Sequence, residues 1–415
     1  MVSFVPGRLP RTGTSLSRNM VSLARRRLTN LALFATVAAT LTVLTGATAY
    51  ADASPATPHG ATSSTPIGTV SSSSIITTLT GTHVPGFSGD GGLADLAQVY
   101  KPRDESVGPD GSIYIADTYN NRIRKIDPDG VITTVAGNGS QTCIPAASCG
   151  DGGPATSASL AWPHDVTVDS AGDIFIADSN HSRIREVTPD GIIHTIAGTG
   201  REGFSGNGGP AVDARLKIPK GVVLFAGSLY FADTLNERIR AINLTTGIIT
   251  TVAGNGVRGF AGDGGPALDA EFNIPQRIAI DAARDLFIAD TQNNRIREVT
   301  PDGIIHTIIG TGQQGFGGDG GIGTAAKISV PRGLAVAPDG SLFFSDTGNN
   351  RVRRWDPTTG IVTTIVGTGK QGYSGDGGPA GSATLYDPRG LTFDPEGDLI
   401  IADCFNNVVR IVRAS

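Results

Sequence analysis

From residue 75 onward, apolar and polar positions alternate in short runs, and no stretch of useful length repeats them at helical spacing. Residues 165–169 (DVTVD), 173–177 (DIFIA), 183–187 (RIREV) and 192–197 (IIHTIA) show the pattern. The runs are rich in β-branched residues, and the breaks between them are Gly, Pro, Asp and Asn. They predict four short antiparallel strands joined by tight turns.

This set of four recurs. The phrases IADTYNNRIR, IADSNHSRIR, FADTLNERIR, IADTQNNRIR, FSDTGNNRVR and IADCFNNVVR place Asp117, Asp178, Asp233, Asp290, Asp346 and Asp403 at spacings of 61, 55, 57, 56 and 57 residues. Six units of four antiparallel strands predict an all-β fold, a six-bladed β-propeller. The last unit runs out after its third strand, at Ile411 and Val412, whereas residues 75–81 (IITTLTG) are a fourth strand with no blade. Pairing the two is expected to close the ring and remove two sheet edges.

The phrase Gly-x-apolar-apolar-apolar-Ala-Asp followed by Asn-Asn-Arg-Ile-Arg resembles the NHL repeat. The intervening GFSGDGGPA resembles the longer variety found in bacterial secreted NHL proteins and teneurin-type propellers. The resemblance covers residues 75–413. It implies the propeller fold, but for function it implies only a range: protein-, RNA- and carbohydrate-binding scaffolds, sensors and a few lyases.

Composition sharpens the picture at the N-terminus. Residues 1–51 hold six Arg and no Asp, Glu or Lys, then an apolar run and Ala49-Tyr50-Ala51, which reads as a secretory signal with a cleavage site. The general secretory route is favoured over the twin-arginine route, because the residues after Arg25-Arg26-Arg27 depart from that pattern. Residues 52–74 are Ser/Thr/Pro-rich and read as a flexible leader, leaving 75–415 as the propeller. Of the 33 basic residues 27 lie beyond residue 51, against 38 acidic ones, so the exported part carries a net −11. Nucleic acid is a poor partner for so acidic a body, and no membrane span is expected after the signal. The 57 glycines, about twice ordinary usage, fall mainly in the turns and inserts of the repeat.

Several repeated residues have structural readings. The Asp and Asn of Asp-x-x-Asn-Asn-Arg are expected to hold their own turn. The Arg seven residues after each anchor is expected to bridge to a neighbouring blade. The aromatic of each insert (Phe87, Phe204, Phe260, Phe316, Tyr373) should anchor it to the ring. The insert Asp (Asp90, Asp151, Asp263, Asp319, Asp376; Asn207 once) reads as a turn residue, since one carboxylate falls short of the six to eight oxygens Ca²⁺ takes. The second insert lacks the aromatic and has Cys143 and Cys149 instead, expected to form a disulfide staple. Cys404 is left as a partly buried thiol. No metal site and no cofactor are expected.

Ligand candidates lie where the innermost strands begin. After the opening Pro come Arg103, His164, Lys220, Gln276, Arg332 and Arg389, a locally basic ring at one mouth of the axial channel. They either cap the blade gaps or attract an anionic ligand. One position later the small Gly of three blades (Gly221, Gly333, Gly390) is replaced by Asp104, Asp165 and Arg277. Any catalysis is expected among Asp104, Glu105, His164, Asp165 and Arg277, with the His as base. No known catalytic phrase occurs, so the favoured reading is an exported, monomeric binding or scaffold module for a protein or glycan ligand. The alternative is a channel-centred lyase or hydrolase acting on lactones or cyclic peptides.

Overall fold

The computed structural model describes residues 68–143 and 149–415; the expected signal and most of the leader lie outside the described residues. Six antiparallel sheets surround a channel, each holding four blade strands. Blade two runs outward through Pro163–Val168, Ile174–Asp178, Arg183–Val187 and Ile193–Ala197. Blade six contributes Pro388–Phe393, Leu399–Asp403 and Val408–Val412, and Ile75–Thr80 supplies its outermost strand, pairing Ile76 with Val412 and Thr78 with Arg410. The expected closure is therefore present. Residues 68–74, placed by composition in the leader, are built into the body: Val70 is buried between blades five and six, and Thr69 N–H donates to the Ser415 carbonyl.

Why the strands read as unbroken apolar runs follows from two-sided burial. In Ile174-Phe175-Ile176-Ala177, Ile174 and Ile176 pack with blade-one residues such as Tyr114 and Ala116. Phe175 and Ala177 pack with Val222 and Phe231 of blade three. Successive side chains point to opposite faces, so each strand needs an apolar partner on both sides. The core is accordingly six separate clusters, one per junction, the last joining Ile400, Val409 and Ile411 of blade six to Ile115, Ile126 and Ile132 of blade one.

The anchor motif does more than hold its turn. Besides accepting from the first Asn of its own turn, as Asp117 does from Asn120 at 2.8 Å, the Asp accepts from a backbone N–H 16 or 17 residues earlier, as in Asp178 with Ala161 (2.7 Å) and Asp403 with Tyr386 (2.8 Å). This clips the innermost strand's approach to the blade's second turn. The following Thr or Ser hydroxyl donates to the next blade's opening Pro carbonyl in four blades (Thr118, Ser179, Thr291, Thr347). The second Asn, in the left-handed conformation that Asn tolerates, accepts the N–H of the residue before that Pro (Asn121–Trp162, Asn294–Val330, Asn350–Asp387, Asn407–Lys101). Glu237 takes that place in blade three, accepting from Ile274 at 2.7 Å and pairing with Arg258.

The repeated Arg does not bridge to a neighbouring blade. Arg124, Arg185, Arg240, Arg297, Arg353 and Arg410 are fully buried and meet their own blade's anchor Asp at 3.1–3.9 Å. Five also pair with the insert Asp at 2.5–2.7 Å, so that residue is a counter-ion, not only a turn former. Blade three has Asn207 there, and Arg240 keeps only Asp233. Each insert crosses the blade's outermost strand, as in Gly92–Leu93 on Val131–Ala136, and thereby covers an edge that would otherwise offer pairing. The insert Phe rings lie 3.6–3.8 Å from the guanidinium of Arg122, Arg238, Arg295 and Arg351. In blade two the equivalent Arg183 instead donates to Cys149, which is disulfide-bonded to Cys143.

Candidate functional site: the mouth of the axial channel

The innermost strands open with Pro102, Pro163, Pro219, Pro275, Pro331 and Pro388, and in all six the residue before the Pro has a positive φ near 50°. A β-bulge follows directly in blades two, three, four and six. Turn and bulge together aim the next side chains into the mouth. Arg103, His164, Gln276, Arg332 and Arg389 line one axial cavity with Asp104, Asp165, Arg277 and Gly390, while Lys220 joins through Nζ donating to Gln276 Oε1 at 3.3 Å. The cavity is about 20 Å³, room for roughly one water. The three glycines of the axis are explained by crowding. A Cβ at Gly221 would sit 2.6 Å from the Gln276 carbonyl oxygen, and one at Gly390 would meet Asp104.

Below the mouth the structure brings Asp104, Asp165 and Arg277 together. Arg277 Nη1 donates to Asp104 at 2.6 Å and also to Asp165. Glu105 is fully buried beside them, and no side chain among the described residues hydrogen-bonds its carboxyl group. Burial pushes its carboxyl up to about 8 against the opposing pull of Arg277, and holds Asp104 well above the usual carboxylate range. His164 stands apart from this cluster, with no carboxylate partner among the described residues. Burial and the cations Lys220, Arg103 and Arg389 drive it well below its ordinary value, leaving it neutral and weakly basic.

The cations of the ring are not equivalent. Arg332 and Arg389 share Asp387, at 2.8 and 2.6 Å. Burial and the surrounding Arg charges push Lys220 well below its usual range. Arg103, lowered to about 10 by burial and by Arg389, has no carboxylate partner among the described residues. It rests instead on rings, 5.4 Å from Tyr119 and 5.6 Å from Trp162. Beside it, Lys101 Nζ lies over Tyr119 (4.5 Å), Phe405 (4.8 Å) and Tyr100 (5.8 Å).

These aromatics were not singled out by the sequence reading. Tyr119 stacks on Trp162 across the junction of blades one and two, and Tyr100–Tyr119 and Tyr386–Phe405 are ring pairs at 5.1 and 5.0 Å. All five residues are half-buried. For the four other than Trp162 the signal lies in two columns of the repeat. In every blade the N–H two residues past the anchor Asp donates to the carbonyl two residues before the opening Pro, which sets two side chains together at the mouth. Blades one and six fill both columns with aromatics; blades two to five have Ala161/Asn180, Lys217/Leu235, Asn273/Gln292 and Ser329/Gly348.

One further cluster stands at the rim of blade two. His181 replaces the first Asn of the motif, bonds Asp178 through Nδ1 at 2.8 Å, and lies 3.2 Å from the Cys143 sulfur through Nε2. Among the described residues Cys143, Cys149 and His181 are the one group with metal-ligand spacing, and both sulfurs are committed to the disulfide. Cys404 is fully buried, not partly, and burial raises its thiol to about 11.

The teneurin NHL domain model matches residues 71–146, 135–204 and 257–316. Human teneurin-1 is 31% identical over 278 residues, covering 58% of this chain and 10% of its own. Chicken NHL repeat-containing protein 2 is 30% identical over 289 residues, covering 61% and 38%. The chain thus spans well under half the length of these relatives. Among solved structures, an auxiliary nutrient binding protein from Bacteroides thetaiotaomicron superposes with a TM-score of 0.60 at 18% identity, over 81% of this chain and 76% of that one. No helix among the described residues is long and apolar enough to cross a membrane. Six copies of the repeat, the closed six-bladed ring and these matches together place the chain in the NHL-repeat β-propeller family.

Proposed function

We propose that this propeller is an exported, monomeric binding module that captures an anionic group of a protein or glycan ligand at the channel mouth. The observation that carries the reading is the partition of charge. Arg277 occupies Asp104 and Asp165, Asp387 serves both Arg332 and Arg389, and Lys101 and Arg103 rest on rings with no carboxylate partner among the described residues. A cation fixed by aromatic faces keeps its N–H donors for an incoming oxyanion, without an ion pair to break first. The structural likeness to nutrient binding proteins of Bacteroides supports a binding role on this fold.

The test is fluorescence anisotropy with two labelled probes, a polyuronate and polyglutamate, against the wild-type protein and Arg103→Glu. Binding of at least one probe, weakened about tenfold or more by the charge reversal, is expected. Equal affinity of both proteins for every anionic probe discards the basic mouth as the site.

A second reading, chemistry within the channel, is favoured by one observation: Asp104, Asp165 and Arg277 converge, with Glu105 poised near neutrality. It requires the mouth to widen, since the present cavity admits about one water.

A further inference from the structure

We infer that the ligand of this mouth is an acidic oligosaccharide, a chain of uronic-acid-type rings that packs against the exposed part of the stacked Tyr119–Trp162 pair with a carboxylate on Arg103 and Lys101. The inference rests on the reading of the mouth as an anion site and adds the chemistry of what carries the anion.

Two observations favour sugar rings. The Tyr119 and Trp162 planes are within 22° of each other with centroids 5.1 Å apart, so the two rings stack face on face across two blades, and both are only half-buried. A pyranose turns a face of weakly positive C–H groups toward such a ring, whose own face is negative, while its hydroxyls stay in water. The pair is also rigid. Trp162 and Lys101 both sit at positive φ, with backbone N–H groups held by Asn121 and Asn407 at 3.1 Å each, so their side chains are set in place before any ligand arrives.

The same features disfavour the other polyanions. Single-stranded nucleic acid also stacks on aromatics, but it brings one phosphate per base, and the patch offers two unpaired cations on a body of net −11. An acidic peptide gains most of its affinity by adding a strand to a sheet edge, and here the inserts already cover the outermost strands. A uronic-acid chain needs one carboxylate recognised and aromatic surface beside it, which is what Arg103, Lys101, Tyr119 and Trp162 supply.

Trp162 makes the test direct. The chain has two tryptophans, and the other, Trp355, is buried in the core between blades four and five. Intrinsic fluorescence is titrated with a galacturonic acid tetrasaccharide, its carboxyl-reduced neutral counterpart, an oligothymidylate and an oligoglutamate. The expected result is a saturable change in Trp162 emission with the acidic tetrasaccharide, weakened about tenfold in the neutral one and by Arg103→Gln. For the ring, Tyr119→Ala and Trp162→Ala, followed by calorimetry, are each expected to weaken the acidic and the neutral sugar alike by about tenfold, with Trp162→Phe retaining most of the affinity. If the acidic sugar binds with unchanged affinity to Trp162→Ala, or if oligothymidylate or oligoglutamate binds more tightly, this inference is overturned while the anion-binding mouth stands. If no anionic probe binds, both fall. Thermal unfolding of each variant, required to match the wild type, separates loss of the aromatic pair from loss of the fold.

Discussion

Arg277 of blade four reaches across the channel to Asp104 of blade one, on the opposite side of the ring, with Nη1 2.6 Å from Oδ2. This one side chain closes the axis, neutralises the acids beneath the mouth, and so decides which cations above remain unpaired. Replacing it with Met should strand three buried carboxyl groups. The expected cost is about 3 kcal/mol near neutral pH, shrinking in acid as the carboxyls protonate. Chemical denaturation of Arg277→Met at pH 7 and pH 5 checks this; equal losses at both would refute the charge account.

Glu105 gives the pH dependence a sign. Its folded value, about 8, lies above the ordinary 4.5, so between these pH values the native state binds the extra proton and stability falls as pH rises. Glu105→Gln removes the titration. The variant should be more stable than wild type by about 1–3 kcal/mol at pH 8, with the gain vanishing toward pH 4.5. Thermal melts across that range decide it.

The closing junction lacks a bond that four others have. Thr118, Ser179, Thr291 and Thr347 each donate a hydroxyl to the next blade's Pro carbonyl, and blade six has Cys404 instead. Cys404→Thr should let the hydroxyl reach the Pro102 carbonyl and stabilise the ring by about 1 kcal/mol. A midpoint shift in denaturant with unchanged slope is the expected readout; a destabilised variant would contradict it.

Blade three offers a similar repair. Arg240 is buried with one carboxylate where its five counterparts have two. Asn207→Asp should supply the second, since the Asn already occupies the insert position and accepts from Thr251 at 3.0 Å. A gain of about 1 kcal/mol is expected above pH 5, lost as the new carboxylate protonates. The same substitution without effect would show that the insert Asp residues are turn formers only.

How much of this was legible in the sequence depends on whether the signal repeats. The strands, the blade count and the closure by Ile75–Thr80 could be read because two-sided burial forces the same apolar runs six times over. The role of Arg124 and its equivalents was misassigned, because period says that a residue matters but not which way it points. Its partners turned out to be Asp117 and Asp90, of its own blade and insert. The basic ring was visible from the residue after each Pro. Its aromatic floor was not, because Tyr119 and Trp162 come from different columns of different blades and meet where the blade-one turn receives the blade-two strand, Asn121 accepting the Trp162 N–H. Nothing in the spacing of Lys101, Arg332, Arg389 and Asp387 reveals which cations Asp387 neutralises; that required the ring.

The proposed function has Lys101 and Arg103 hold an anion at the mouth. It is tested most directly by isothermal titration of a polyuronate into wild type and into the Lys101→Glu/Arg103→Glu double variant, at low and physiological ionic strength. Wild-type binding that weakens with salt, together with loss of binding in the double variant at both ionic strengths, is the result this account predicts. Equal affinity in the two proteins, or wild-type binding indifferent to salt, would contradict it.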